Sequence, residues 1–205
     1  MAEERIFFES QGCQLEGLLQ TRPGAYGAVI AHPHPLYGGE MHNPVVAAIQ
    51  AAYVQAGYTT LRFNFRGVGT SEGRYDEGRG EQADIISALQ VLHARGKEVV
   101  DLAGYSFGAW VIALGLDRFT SARRAVFVSP PVALIDFSFL SYSPKLALVV
   151  AGALDEMAPA ERIQTMCPQW NPDAELAVIP GADHFFDGKT EALETAIGAF
   201  LKNAP

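Results

Sequence analysis

Three residues in one chain order carry the chemistry this sequence suggests: Ser106, Asp155 and His184. Ser106 stands in Gly104-Tyr105-Ser106-Phe107-Gly108, after an apolar run at 99–103 and before another at 109–114. That order reads strand, tight turn, helix. A G-x-S-x-G turn in this setting holds a serine hydroxyl above the end of a sheet. Its glycines serve a sharp bend and the close approach of neighbouring segments. A serine hydroxyl is a poor nucleophile at neutral pH, so it needs a base, and the base needs an orienting group. Histidine, with an unperturbed pKa of about 6.5, suits the base role.

Of the five histidines, His184 lies in Pro180-Gly181-Ala182-Asp183-His184-Phe185-Phe186, the loop after the last predicted strand. A nucleophile-elbow enzyme places its base there. Alone, His184 would read equally well as a surface-loop histidine. The orienting carboxylate belongs between serine and histidine in the chain. Asp155 follows a strand at 146–151 through Gly152-Ala153-Leu154, with Glu156 and Asp136 as competitors. Alone, Asp155 would read as a turn former or helix cap. Asp183 and Asp187 read as loop residues, His42 as the residue before a helix cap, and His93 as a surface helix residue.

Attack on a carbonyl creates an oxyanion that needs preorganised donors. One is the amide of the residue after the serine, Phe107, and the other comes from the loop after the third strand. That loop reads His32-Pro33-His34-Pro35-Leu36-Tyr37-Gly38-Gly39. Proline has no N–H, so the first amide beyond His32 is that of His34, with Leu36 second. His32 and His34 flank a single proline with no acidic or cysteine cluster beside them, a poor metal site. The loop Arg66-Gly67-Val68-Gly69 lacks the third glycine of a dinucleotide motif and the lysine of a P-loop. It reads as a turn in which Arg66 or Ser71 bonds neighbouring loops.

The elements that must position these groups alternate. Short strands around 6–9 and 15–20 flank the turn Ser10-Gln11-Gly12, a hairpin. Strands follow at 28–31, 59–64, 99–103, 125–129, 146–151 and 175–179. Helices read at 43–56, with Asn43 as cap and Pro44 first, then at 81–94, after the elbow, at 159–166 and at 191–201. Strand–helix alternation implies an α/β fold, a mostly parallel sheet covered on both faces, with an antiparallel hairpin at its start. In such sheets ligands bind beyond the carboxyl ends of the strands, and each candidate residue follows a predicted strand.

The 205 residues fit one domain, 1–205, with no repeat or internal linker. The net charge of −8 argues against nucleic acid as a partner. No apolar run reaches the ~18 residues of a membrane span, and the acidic N-terminus lacks a signal-peptide pattern. Cys13 and Cys167 have no metal or redox spacing and read as reduced, buried residues of a cytoplasmic protein.

The chain resembles the α/β-hydrolase superfamily, most nearly its small, lidless bacterial members related to dienelactone hydrolases and carboxylesterases. The likeness runs nearly end to end. It rests on the 32–39 loop, Phe65-Arg66-Gly67-Val68-Gly69-Thr70-Ser71, the elbow, Gly152-Ala153-Leu154-Asp155 and Gly181-Ala182-Asp183-His184. It implies the α/β-hydrolase fold, Ser106 as nucleophile, Asp155 as orienter, His184 as base, and the amides of His34 and Phe107 as oxyanion donors. Dienelactone hydrolases proper use a cysteine nucleophile, so their substrate does not transfer. The usual His-Gly after the third strand is His32-Pro33 here, so the resemblance does not fix the second donor. The 130–145 connection is too short for a cap of several helices. The expected site is therefore open, without a cap domain, and lined by Tyr37, Tyr105, Phe137 and Phe139.

The resulting expectation is a cytoplasmic serine hydrolase of small-molecule carboxylic esters, with thioesters second. It expects no metal or organic cofactor, no nucleic acid and no membrane partner. Association into a homodimer is left open. The alternatives are an amide or peptide hydrolase with the same three residues, and a silent fold member that only binds.

Overall fold

The computed structural model describes residues 3–203. Of the domain expected over 1–205, residues 1–2 and 204–205 lie outside the described residues. Eight strands form one sheet: β1 (Glu4–Ser10), β2 (Cys13–Gln20), β3 (Tyr26–Ala31), β4 (Thr59–Phe63), β5 (Val99–Tyr105), β6 (Ala122–Val128), β7 (Leu146–Gly152) and β8 (Glu175–Ile179). Five helices join them: α1 (Pro44–Gln55), α2 (Arg79–His93), α3 (Phe107–Gly115), α4 (Ala160–Trp170) and α5 (Thr190–Asn203). The strand order is β1-β2-β4-β3-β5-β6-β7-β8. β1–β2 and β2–β4 are antiparallel, and every later pairing is parallel.

Side chains alternate across a strand, so each central strand feeds two cores. Val29 and Ala31 of β3 join Ile85 and Leu89 of α2 and Val111 of α3 on one face. Ala28 and Ile30 join Val46 and Ile49 of α1 and Ile197 of α5 on the other. Helices thus cover both faces of the sheet.

Boundaries moved where a polar residue concealed an element. β6 begins at Ala122 rather than at 125, because Arg123 and Arg124 run within the strand. Both bond the buried carboxylate of Asp101 on β5, at 2.9 and 3.0 Å. α4 continues past Pro168 to Trp170, since proline near a helix end removes only a late N–H. Pro35–Tyr37 forms a 3₁₀ turn where only a loop was expected. Cys167 is buried, but Cys13 is only half-buried, contrary to expectation. Among the described residues no helix is long and apolar enough to cross a membrane.

The sheet changes direction of growth at β3, which lies between β4 and β5. Ligand crevices of open sheets form at such a reversal, past the strand ends. The loops leaving β3, β5, β7 and β8 meet there. Residues 129–145, between β6 and β7, contain turns and bends but no helix.

Candidate active site

The elbow follows from local sterics. Ser106 has φ 54° and ψ −115°, outside the regions L-residues favour. Its amide donates to Val128 O on β6 at 2.9 Å, tying the turn to the neighbouring strand. A Cβ on Gly108 would lie 2.5 Å from Ala31 O, so glycine lets α3 start against the end of β3. Similarly, a Cβ on Gly152 would lie 2.4 Å from Ala182 O. That contact seats the His184 loop on the end of β7, beside Asp155.

The three residues read from the sequence meet there. His184 Nε2 lies 3.0 Å from Ser106 Oγ. His184 Nδ1 lies 2.9 and 3.0 Å from the two carboxylate oxygens of Asp155. All three are buried. Burial pushes the Asp155 carboxyl up, but the interaction with His184, together with the Ser129 hydroxyl and the Ala158 amide, holds the group below the usual carboxylate range. An ionised Asp155 accepts from Nδ1–H, which leaves the Nε2 lone pair facing the serine hydroxyl. Asp155 is also the turn former it could have been: Oδ1 accepts from the amides of Met157 and Ala158 at 2.9 and 2.7 Å. The two readings of that residue are both true. Neither competitor joins: Asp136 bonds Ser138 in an exposed turn, and Glu156 has no bond to His184.

Tyr105, expected only as lining, also holds His184. Its hydroxyl donates to His184 O at 2.9 Å. Burial, then the charges of Asp155, Asp183 and Asp187, push its phenol far up, so it remains a donor.

The loop after β3 is braced by its histidines. His32 is completely buried; Nδ1 lies 2.6 Å from Pro33 O, and Nε2 accepts from the amide of Phe65 at 3.0 Å. Nδ1 therefore carries the proton. This ring pins the loop to the end of β4, a role the sequence pattern did not disclose. Burial pushes its pKa down to about 4. The His34 ring packs on Tyr37, Tyr75 and Phe107 at centroid distances of 4.8, 5.1 and 4.7 Å. Its Nδ1 accepts from the Leu36 amide at 3.2 Å. Leu36 N–H, the second choice of oxyanion donor, is thereby spent. His34 and Phe107 line the same cavity as Ser106, and Phe107 opens α3, where amides lack intrahelical acceptors.

That cavity measures about 630 Å³. Tyr37 and Tyr105 line it as expected, but Phe137 and Phe139 do not. Phe137 is buried against Trp170, centroids 5.6 Å apart, and stacks on Phe139. The amides of Leu134 and Ile135 both bond Pro131 O, turning the chain there. Pro131, Leu134 and Ile135 consequently face the cavity, and Phe137 returns to the core. Met157, Phe185 and Asn43 complete the wall. Phe185 had one signal, its place beside His184, and Asn43 was legible only as a helix cap. Pro131, Leu134, Ile135 and Met157 lie in irregular segments without periodicity.

The remaining motif behaves as a turn. Arg66 forks onto the buried Asp84 of α2 at 2.8 Å, and Ser71 Oγ donates to Asn64 O at 2.8 Å.

A doubly covered, mostly parallel sheet with a serine elbow past β5 and a histidine past β8 defines an α/β hydrolase. Residues 28–198 match the alpha/beta hydrolase family, and the chain belongs to it. It is similar to an uncharacterized protein of Rickettsia prowazekii, 36% identical over 96% of this chain and 88% of that one. The solved structure of an alpha-beta serine hydrolase homologue from Coxiella burnetii is 36% identical with a TM-score of 0.89, covering 100% of this chain and 99% of that one. An α/β serine hydrolase without lid from Xanthomonas campestris is 28% identical with a TM-score of 0.89, covering 98% and 94%.

Proposed function

We propose that the protein is a serine hydrolase of small-molecule carboxylic esters, with thioesters as a second chemistry, acting through an acyl-enzyme. One observation carries this reading: the Ser106 hydroxyl lies 3.0 Å from a histidine nitrogen whose ring partner is an ionised carboxylate. Ser106 Oγ attacks the ester carbonyl carbon and its proton passes to His184 Nε2. The carbonyl π electrons move onto oxygen, and the amides of Phe107 and His34 receive that charge. Asp155 stabilises the imidazolium without taking its proton. Collapse restores the carbonyl and breaks the bond to the alcohol, which leaves with the proton from His184. Water then attacks the acyl-Ser106 carbonyl, giving its proton to His184. Release of the acid returns that proton to Ser106.

The test is labelling with a fluorophosphonate, mapped by mass spectrometry, beside turnover of p-nitrophenyl acetate. The expected adduct is on Ser106, is lost in Ser106→Ala and forms slowly in His184→Ala. Turnover in Ser106→Ala is expected to fall by about 10⁴ or more. An unlabelled protein whose Ser106→Ala variant keeps its turnover overturns the reading.

A further inference from the structure

We infer that this site discriminates by charge: it accepts esters whose acyl and alcohol arms are both uncharged, and rejects those carrying a carboxylate. The inference rests on the esterase reading of Ser106. Among the described residues lining the cavity there is no lysine and no arginine. Much of the lining is apolar: Pro131, Leu134, Ile135, Met157 and Phe185. Of the lining residues, Leu134, Phe185 and Tyr37 remain 67%, 55% and 85% exposed. Exposed apolar groups grouped around a cleft gain by being covered with apolar ligand surface.

Carboxylates lie beside the cavity. The carboxylates of Asp155, Asp183 and Asp187 all act electrostatically on Tyr105, itself a lining residue. The Lys189 ammonium approaches Gly181, at the base of the His184 loop, and Lys189 is outside the lining. The start of α3 also favours anions. It lies at Phe107, beside Ser106, where the ester oxygen itself sits during attack. A carboxylate on the far end of an acyl arm meets the apolar wall instead. It gives up part of its water there without gaining a partner, an exchange that costs a charged group more than a neutral one. A neutral arm of the same shape meets no such penalty.

The experiment compares two substrates with one leaving group: mono-p-nitrophenyl adipate, and its methyl ester at the distal carboxyl. Release of p-nitrophenol is followed at pH 7 with the uncatalysed rate subtracted. We expect kcat/KM for the methyl ester to exceed that for the acid by about 100-fold or more. Leu134→Arg, at an exposed position on the wall, is expected to narrow the ratio at least tenfold, whereas Leu134→Gln, polar but uncharged, does not. Fluorophosphonate labelling separates the two possible failures. If Ser106 labels and the acid turns over within fivefold of its methyl ester, the charge inference is overturned and the esterase reading stands. If neither ester is cleaved and Ser106 does not label, both fall.

Discussion

The carboxylates of Asp84 and Asp155 both belong to fully buried side chains yet have opposite employment. Asp84 faces Arg66, and Asp155 faces His184. Arg66 keeps its charge at any pH a protein survives, and its guanidinium forks onto Asp84 with bonds of 2.8 to 3.2 Å. That pair anchors the loop after β4 to α2, and no proton needs to move. An imidazole can gain and lose a proton, so on the proposed function the pairing of His184 with Asp155 controls where that proton sits. Burial is shared between the two pairs; the partner's capacity to titrate separates scaffold from chemistry.

The largest expected effect attacks the second pair. Asp155→Asn keeps an acceptor for the amides of Met157 and Ala158, so the turn should persist. Without the carboxylate, His184 loses its enforced tautomer, and kcat should fall by about 10³–10⁴. Urea unfolding should move by less than about 1 kcal/mol. A variant that is active, or that fails to fold, breaks the comparison.

Next is Asp84→Asn, which takes from the buried Arg66 the carboxylate it forks onto and leaves the more weakly acting charge of Glu81. Stability should fall by about 3–5 kcal/mol in urea unfolding, while kcat of the folded fraction stays within about fivefold of the parent. A large loss of kcat at unchanged stability would place Asp84 in the chemistry instead.

The smallest of the three effects concerns His32, a buried histidine with no carboxylate. It is held neutral, with its pKa pushed down to about 4 by burial. In the unfolded chain the value is about 6.5. The unfolded state therefore binds the proton first as pH falls. The stability His32 contributes is complete above pH 6.5 and declines between pH 6.5 and 4, by on the order of 3 kcal/mol. Unfolding midpoints measured across that window should slope downward toward acid, and His32→Gln should flatten the slope. A parallel profile in the variant would show that some other group governs it.

These cases also show which parts of the molecule the sequence disclosed. The elbow, Asp155 and His184 were legible because each sits at a strand end bounded by glycine or turn residues, in a fixed chain order. The strands were legible because a doubly covered sheet demands continuous apolar runs. The partners Asp84 and Asp101 were not, because ion pairs between distant segments leave no local pattern; the start of β6 was missed with them. Phe137 was misplaced for the opposite reason. An aromatic residue in a loop beside a site looks like lining, yet the turn at Pro131 decides which residue faces inward. The bracing by His32 and the 3₁₀ turn at Pro35–Tyr37 depend on hydrogen bonds that spacing alone does not specify.

The backbone of Ser106 has a consequence for the evolution and engineering of this chain. A serine at φ 54° and ψ −115° costs roughly 1–3 kcal/mol. Glycine would tolerate that conformation, at an added entropic cost of about 0.5–1 kcal/mol. Ser106→Gly should therefore be inert as a hydrolase and yet melt a few degrees higher, a net gain of about 1 kcal/mol. Screens that select for heat resistance alone would drift toward that substitution. On the proposed function, Ser106 is a position at which durability and activity pull in opposite directions.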